Sequence, residues 1–235
     1  MIWVTGDTHG QKDFAKLKRF ANEHPELSND DYVIIAGDFG GVWDERTLEG
    51  DLKHYQELPF TILFVDGNHE NFDLLNAYPV GIWNGGKVHK IKPDIIHLMR
   101  GQVFTIEGKR ILAIGGADSR DKGRRLEYEK DAGRKVWWAQ EQIHRNDITE
   151  ADKNLRKYGN KVDYAITHCA SADVCEEMLS ITGNERFRPH VSEKFLREIF
   201  TNQEFRFDQK FCGHYHYDSN YQDTTFLYRR LIRIN

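Results

Sequence analysis

Cysteine is scarce in this chain of 235 residues: there are three, Cys169, Cys175 and Cys212. They are odd in number and match no zinc-knuckle spacing, which argues against a disulfide framework and for small buried residues in a reducing compartment. An excess of one charge is also missing. Lys and Arg total 33 against 37 Asp and Glu, a net −4 with both signs interspersed, so this is not a protein built to coat nucleic acid, although local basic patches remain open. No apolar run reaches the length of a membrane span. The start, Met1-Ile2-Trp3-Val4-Thr5-Gly6, has neither the charged n-region nor the long apolar core of a signal peptide. The expectation is a cytoplasmic protein with no membrane partner. There is no Pro/Gly/Ser-rich linker, low-complexity run or internal repeat, so residues 1–235 are expected to form a single domain burying about 70% or more of its unfolded surface.

What is present begins with Gly6-Asp7-Thr8-His9-Gly10, directly after the apolar run Ile2-Trp3-Val4-Thr5. Residues at i and i+2 of a strand point the same way, so a carboxylate and an imidazole would project together from the strand's carboxyl end. In open α/β sheets that end is where ligands bind. The spacing of Phe14, Leu17, Phe20 and Ala21 predicts a helix over 13–23, ended near Pro25. Tyr32-Val33-Ile34-Ile35-Ala36 reads as a strand buried on both faces and ends in Gly37-Asp38-Phe39-Gly40-Gly41. A second helix is predicted over 48–58. A third strand over 60–65 follows it and ends in Asp66-Gly67-Asn68-His69-Glu70. The first 70 residues thus read β-α-β-α-β, with parallel strands and a polar cluster at every strand exit.

Gly-Asp-Thr-His-Gly, Gly-Asp-Phe-Gly-Gly and Gly-Asn-His-Glu, in that order, resemble the first three motifs of the calcineurin-like metallophosphoesterases. The resemblance implies two more motifs. Tyr164-Ala165-Ile166-Thr167-His168 and Cys212-Gly213-His214-Tyr215-His216 supply a lone His after an apolar strand and a Gly-His-x-His. Carried over by motif, Asp7, His9 and His216 would hold one metal and Asn68, His168 and His214 the other, with Asp38 bridging. Imidazole, carboxylate and amide donors suit Mn or Fe first, or Zn or Ni, better than Ca or Mg. The implied chemistry is hydrolysis of a phosphate ester by a hydroxide activated between two metals, with the catalytic His69 protonating or stabilising the leaving oxygen. The substrate would be a phosphomonoester or a phosphodiester, nucleotides and nucleic acid included. A silent protein-binding scaffold on the same fold is the alternative of another class. One departure stands out: the acidic residue common three places after the second-motif Asp is here Gly41, followed by Val42-Trp43, which argues against the serine/threonine protein phosphatase branch.

From 87 to 116 short alternating runs predict a second, more antiparallel sheet, in which His89 and His97 are not expected to be ligands. The charged segment 117–145 then carries Arg124 and Arg125, candidate substrate-binding residues on a lid beside the metals; a solvated helix face is the plainer reading. Helices are expected over 143–158, 172–179 and 191–200, and a terminal strand or hairpin over 226–234. The resemblance implies an α/β four-layer sandwich, two mixed β-sheets flanked by helices, with the binuclear metal site at the strand ends.

Overall fold

In the computed structural model, which describes residues 1–234, the first sheet is laid down by six strands in chain order. They are β1 (Ile2–Thr5), β2 (Tyr32–Ala36), β3 (Thr61–Val65), β4 (Val80–Trp83), β5 (Gly86–Lys92) and β6 (Ile95–Leu98). The second sheet takes β7 (Gln102–Ile106), β8 (Lys109–Ile114), β9 (Lys161–Thr167), β10 (Arg206–Cys212), β11 (Ser219–Tyr221) and β12 (Thr224–Phe226). The last strand, β13 (Leu231–Arg233), returns to the first sheet beside β1. Among the described residues the strand orders are β13-β1-β2-β3-β6-β5-β4 and β11-β12-β10-β9-β8-β7.

Helices cover the outer faces. α1 (Ala15–Glu23), α2 (Leu48–Gln56) and the single turn α3 (Phe72–Leu75) follow the first three strands. α4 (Lys122–Ala132), α5 (Arg145–Lys157), α6 (Ala172–Thr182) and α7 (Val191–Phe200) belong to the second half. The alternation of side chains along a strand sorts the apolar residues into layers. In β2, Val33 and Ile35 pack with Phe14, Leu17, Leu52 and Tyr55 beneath α1 and α2. Their neighbours Ile34 and Ala36 face the other way, onto Ile111, Ile166 and Phe211 of the second sheet. A third cluster joins that sheet's outer face, through Leu112 and Ala165, to Ile148, Met178 and Leu196 of the helices. Three apolar clusters between four layers give an α/β/β/α sandwich of two mixed sheets. All three cysteines are free and buried within the third cluster.

Two expectations need correction. The hairpin β5–β6 stays in the first sheet, because β6 pairs in parallel with β3, Ile62 beside Ile95 and Phe64 beside His97. The chain first changes sheets around Gly101, whose φ of +72° makes the turn. The second sheet is also mostly parallel in its middle: β8–β9, β9–β10 and β10–β12 are parallel and the outer pairs antiparallel. Short apolar runs of the same period do not encode which sheet they join. The topology has one consequence for function. β1, β2 and β3 run in parallel, as do β9 and β10, so the loops after each open on one edge of the molecule.

Candidate metal centre

Asp7 and His9 leave β1, Asp38 leaves β2, Asn68 and His69 leave β3, His168 leaves β9, and His214 and His216 leave β10. The turns that deliver them are tight. His9, Asp38, His214 and His216 all have left-handed backbone, with φ of 44°, 50°, 67° and 50°. Each such non-glycine conformation costs of order 1–3 kcal/mol, and strain of this kind persists where surrounding structure imposes it. Two glycines allow the loops to close over the carboxylates. A Cβ on Gly67 would stand 2.1 Å from Asp38 Oδ1, and one on Gly213 would stand 2.1 Å from Asp7 Oδ1.

Asp38 sits at the centre and is fully buried. Its Oδ2 lies 3.2 Å from His9 Nε2 and its Oδ1 lies 3.2 Å from His168 Nε2. The backbone N–H of His69 donates to the same Oδ1 at 2.7 Å. Asp7, also buried, accepts the backbone N–H of His214 on Oδ1 at 2.9 Å, while its Oδ2 is 3.0 Å from His216 Nε2. That Oδ2 nevertheless has no aligned hydrogen-bond partner among the described residues. A desolvated carboxylate oxygen without a partner is costly, unless a cation takes its charge. Three overlapping groups have their donor atoms within 4.8 Å of one another: Asp7, His9 and His216; His9, Asp38 and His69; and Asp7, Asp38 and His168. The residues fit divalent metal ions.

His214 falls outside those three groups but packs its ring 5.0 Å from that of His168 and lines the same cleft as Asp38 and Asn68. Asn68 turns its Oδ1 to within 3.2 Å of His168 Nε2.

The electrostatics carry the same signature. Burial opposes the charged forms of His9 and His168, yet Asp38 and Asp7 outweigh it, raising His9 to about 9 and His168 to about 10. Asp38 is held well below the usual carboxylate range despite its burial, chiefly by the charge and hydrogen bond of His168. Protons on imidazoles here balance the carboxylates, as cations would.

Outer partners fix the imidazoles. His168 Nδ1 donates to the Ala36 carbonyl at 2.8 Å, which directs Nε2 toward Asp38. His9 Nδ1 is 2.7 Å from Asp13 Oδ2, and Tyr228 donates its hydroxyl to the other oxygen of Asp13 at 3.0 Å. Tyr228 also stacks on His216, ring centroids 4.7 Å apart at 14°. The sequence reading passed over Asp13, whose i+4 spacing from His9 was the available signal. It also passed over Lys16, whose buried ammonium donates to the carbonyls of Gly6 and Asp7 at 2.9 and 2.7 Å and also to that of Tyr228. Glu70 is buried, and its Oε1 accepts the backbone N–H of Phe39 at 2.7 Å and so clamps the loop after Asp38 to the loop after Asn68.

The charged segment folds as α4 and a return loop. Trp138 is buried there and donates its Nε1–H to Asp73 at 2.8 Å, while Glu129 accepts the backbone N–H groups of Val136 and Trp137. The two arginines differ. Arg125 is buried, with Nε on Asp121 Oδ1 at 2.8 Å, Nη1 on the Asn68 carbonyl at 3.0 Å and Nη2 on His69 Nε2 at 2.7 Å. Arg124 lies on the outer face, its side chain 81% exposed and paired with Asp121, away from the cleft. Arg120 and Arg186, which the sequence did not single out, line the cleft beside Arg125. A guanidinium only donates, so His69 Nε2 accepts from Arg125 and the ring's remaining proton is on Nδ1. Burial, then the Arg125 and His9 charges, pull His69 down to about 4 against the opposing effect of Asp38. His69 therefore stands as a neutral imidazole.

The lariat debranching enzyme of Schizosaccharomyces pombe is 28% identical over 114 residues, covering 42% of this chain and 23% of that protein. The chain thus spans about a quarter of that relative's length in the match. The phosphopantetheinyl hydrolase of Mycobacterium tuberculosis overlays loosely, with a TM-score of 0.40 and 13% identity over 97% of this chain and 87% of that one. The model of the family described as calcineurin-like phosphoesterase matches residues 1–218, which take in all five motifs gathered at the cleft. The chain belongs to the calcineurin-like phosphoesterase family, whose members hydrolyse phosphate esters with the help of bound metal.

Proposed function

We propose that the protein hydrolyses phosphodiesters at a centre for two divalent cations, one held by Asp7, His9 and His216 and the other by Asn68, His168 and His214, with Asp38 shared. The observation that carries this reading is the division of one carboxylate between two imidazoles: Asp38 presents Oδ2 to His9 and Oδ1 to His168, each at 3.2 Å. Mixed nitrogen and oxygen donors favour Mn or Fe, with Zn or Ni as the other fits. Bound there, such cations polarise a phosphoryl oxygen and lower the pKa of water.

The chain's own groups supply the rest. His69, between Arg125 and the carboxylates, offers a neutral N–H to the leaving oxygen as charge develops on it. Arg125 holds His69 and the Asn68 carbonyl in place and presents a fixed positive charge to the phosphoryl group. Two observations support a diester over a monoester. The metal cleft, about 260 Å³, shares His69 and Arg125 with a neighbouring hollow of about 450 Å³, which leaves room for an ester arm beyond the scissile phosphate. The S. pombe relative is named as a debranching enzyme, which is a phosphodiesterase.

The test is a panel of bis- and mono-(4-nitrophenyl) phosphate against protein stripped of metal and reloaded with Mn, Fe, Zn, Ni or Mg. The diester should be the better substrate with a transition metal; turnover of the monoester alone would overturn the diester assignment. In the same assay Arg125→Gln should lose about 1–3 kcal/mol of transition-state binding, roughly 5- to 150-fold in kcat/KM. Arg124→Gln should stay within about twofold of the parent, as expected for an exposed pair. Equal effects of the two would remove Arg125 from the site.

A further inference from the structure

The two hollows share His69 and Arg125 as a common wall and differ in everything else that lines them. The larger is lined by Trp43 and Val136, with Gln11 and Lys12 at its polar border. Trp43 is held firmly. Its ring meets Trp138 edge-on, centroids 5.5 Å apart at 75°, and its carbonyl accepts the Asn71 side chain at 2.9 Å. A half-buried indole with an apolar neighbour and polar groups at the rim suits a planar ring that has hydrogen-bonding edges.

The smaller hollow is the metal cleft itself, lined by Asp38, Asn68, His214 and His216, and it carries Arg120 and Arg186, with Asp121, along its border. Most surface arginines nearby are neutralised: Arg124 pairs with Asp121 and Arg188 with Glu185, both at 2.9 Å or less. Arg186 has no carboxylate within 4 Å among the described residues; its Nη1 donates to the Tyr215 carbonyl at 3.0 Å. It is placed by a built device. Arg186 lies on a 3₁₀ turn, Glu185–Phe187, whose Phe187 stacks on Tyr215 with centroids 5.0 Å apart at 25°. Arg120 ties both ends of that turn, donating to the Glu185 carbonyl at 2.9 Å and the Arg188 carbonyl at 3.1 Å. Tyr215 stands between His214 and His216, so the unpaired guanidinium is fixed to the segment that carries two of the proposed metal ligands. An arginine fixed and left without a counter-ion is a binding group for phosphate.

We propose that the ester bound here has two unlike arms: a planar aromatic ring lying against Trp43, and a second phosphate held by Arg186. This is the chemistry of a nucleotide diester carrying a further phosphate, and the inference rests on the phosphodiesterase reading above. The scissile phosphate lies over the proposed metal ligands in the smaller hollow, beside His69 and Arg125, with the ring in the larger hollow and the second anion at the Arg186 side of the smaller one.

Calorimetry on the Mn-loaded chain with thymidine 5′-phosphate, thymidine 3′,5′-bisphosphate and inorganic phosphate tests this without turnover. The bisphosphate should bind about 10- to 100-fold more tightly than the monophosphate, the range expected for charge-assisted hydrogen bonds. That ratio should fall to near one in Arg186→Gln and recover in part in Arg186→Lys, which restores the charge without the fork. Trp43→Leu should weaken both nucleotides relative to inorganic phosphate. A second phosphate that adds no affinity, an advantage that survives Arg186→Gln, or nucleotides no weaker in Trp43→Leu would each overturn the proposal. Hydrolysis of the 4-nitrophenyl 5′-ester of thymidine phosphate, with and without a 3′-phosphate, separates the two readings. Discrimination in binding with no ester hydrolysed under any metal sinks the phosphodiesterase reading alone. Turnover without discrimination sinks the two-armed cleft alone.

Discussion

Asp38→Asn should reduce ester turnover by roughly 10³-fold or more, on the scale of losing a preorganised electrostatic group, and should lower the content of both metals. Asn is the informative replacement because it tolerates the φ of 50° at this position, where Ala would add backbone strain to the loss of charge. Its amide oxygen can still accept the His69 N–H that now reaches Asp38 Oδ1 at 2.7 Å, so the loop keeps its course. What disappears is the negative charge shared by His9 and His168. Far-ultraviolet circular dichroism should be unchanged, and metal analysis and kcat/KM should fall together. A folded Asp38→Asn protein with full metal content and full activity would show that Asp38 bridges nothing.

His69→Asn should cost about 10²–10³ in rate while leaving both metals in place, because an N–H aimed at developing charge is lost and no proposed ligand is touched. The size of the loss should depend on the leaving group. Nitrophenolate departs readily without help, so its esters should suffer less than alkyl or nucleoside esters, whose alkoxides carry more charge at the transition state. Loss of metal in this variant would make His69 a ligand, in line with its position within 4.8 Å of His9 and Asp38 donor atoms. Equal slowing of all esters would move its action to the phosphoryl oxygens. Because His69 Nε2 accepts from Arg125, the variant also releases one hydrogen bond of that arginine, and Arg125→Gln combined with His69→Asn should cost less than the sum of the two changes.

The gathering of the motifs was legible in the sequence because it depends on a local rule applied several times. Each of β1, β2, β3, β9 and β10 ends in a glycine-flanked or polar turn, and parallel strands bring such ends to one edge. Sheet membership was not legible. Ile95-Ile96-His97-Leu98 and Val103-Phe104-Thr105-Ile106 have similar patterns, yet one lies beside β3 and the other starts the second sheet. β4 was missed because Val80-Gly81-Ile82-Trp83 follows a proline and contains a glycine, and it is an edge strand with Val80 and Ile82 exposed.

The split between Arg124 and Arg125 was readable in part. Adjacent helical residues point about 100° apart, and the i+4 spacing of Asp121 and Arg125 is a pairing signal. Which of the two faces the cleft depends on how α4 docks, and there Arg125 itself ties the helix to the Asn68 carbonyl and to His69. Arg120 and Arg186 lie 66 positions apart, and only the packing of the Glu185–Phe187 turn on Tyr215 brings them to one hollow.

Counting metal ions per chain tests the central claim most directly. The parent, stripped and titrated with Mn, should saturate at two ions per chain; His9→Ala should retain mainly the ion assigned to Asn68, His168 and His214, and His168→Ala mainly the one assigned to Asp7, His9 and His216. A parent chain that saturates at one ion or none, or single-ligand variants that lose both ions alike, would contradict a binuclear centre bridged by Asp38.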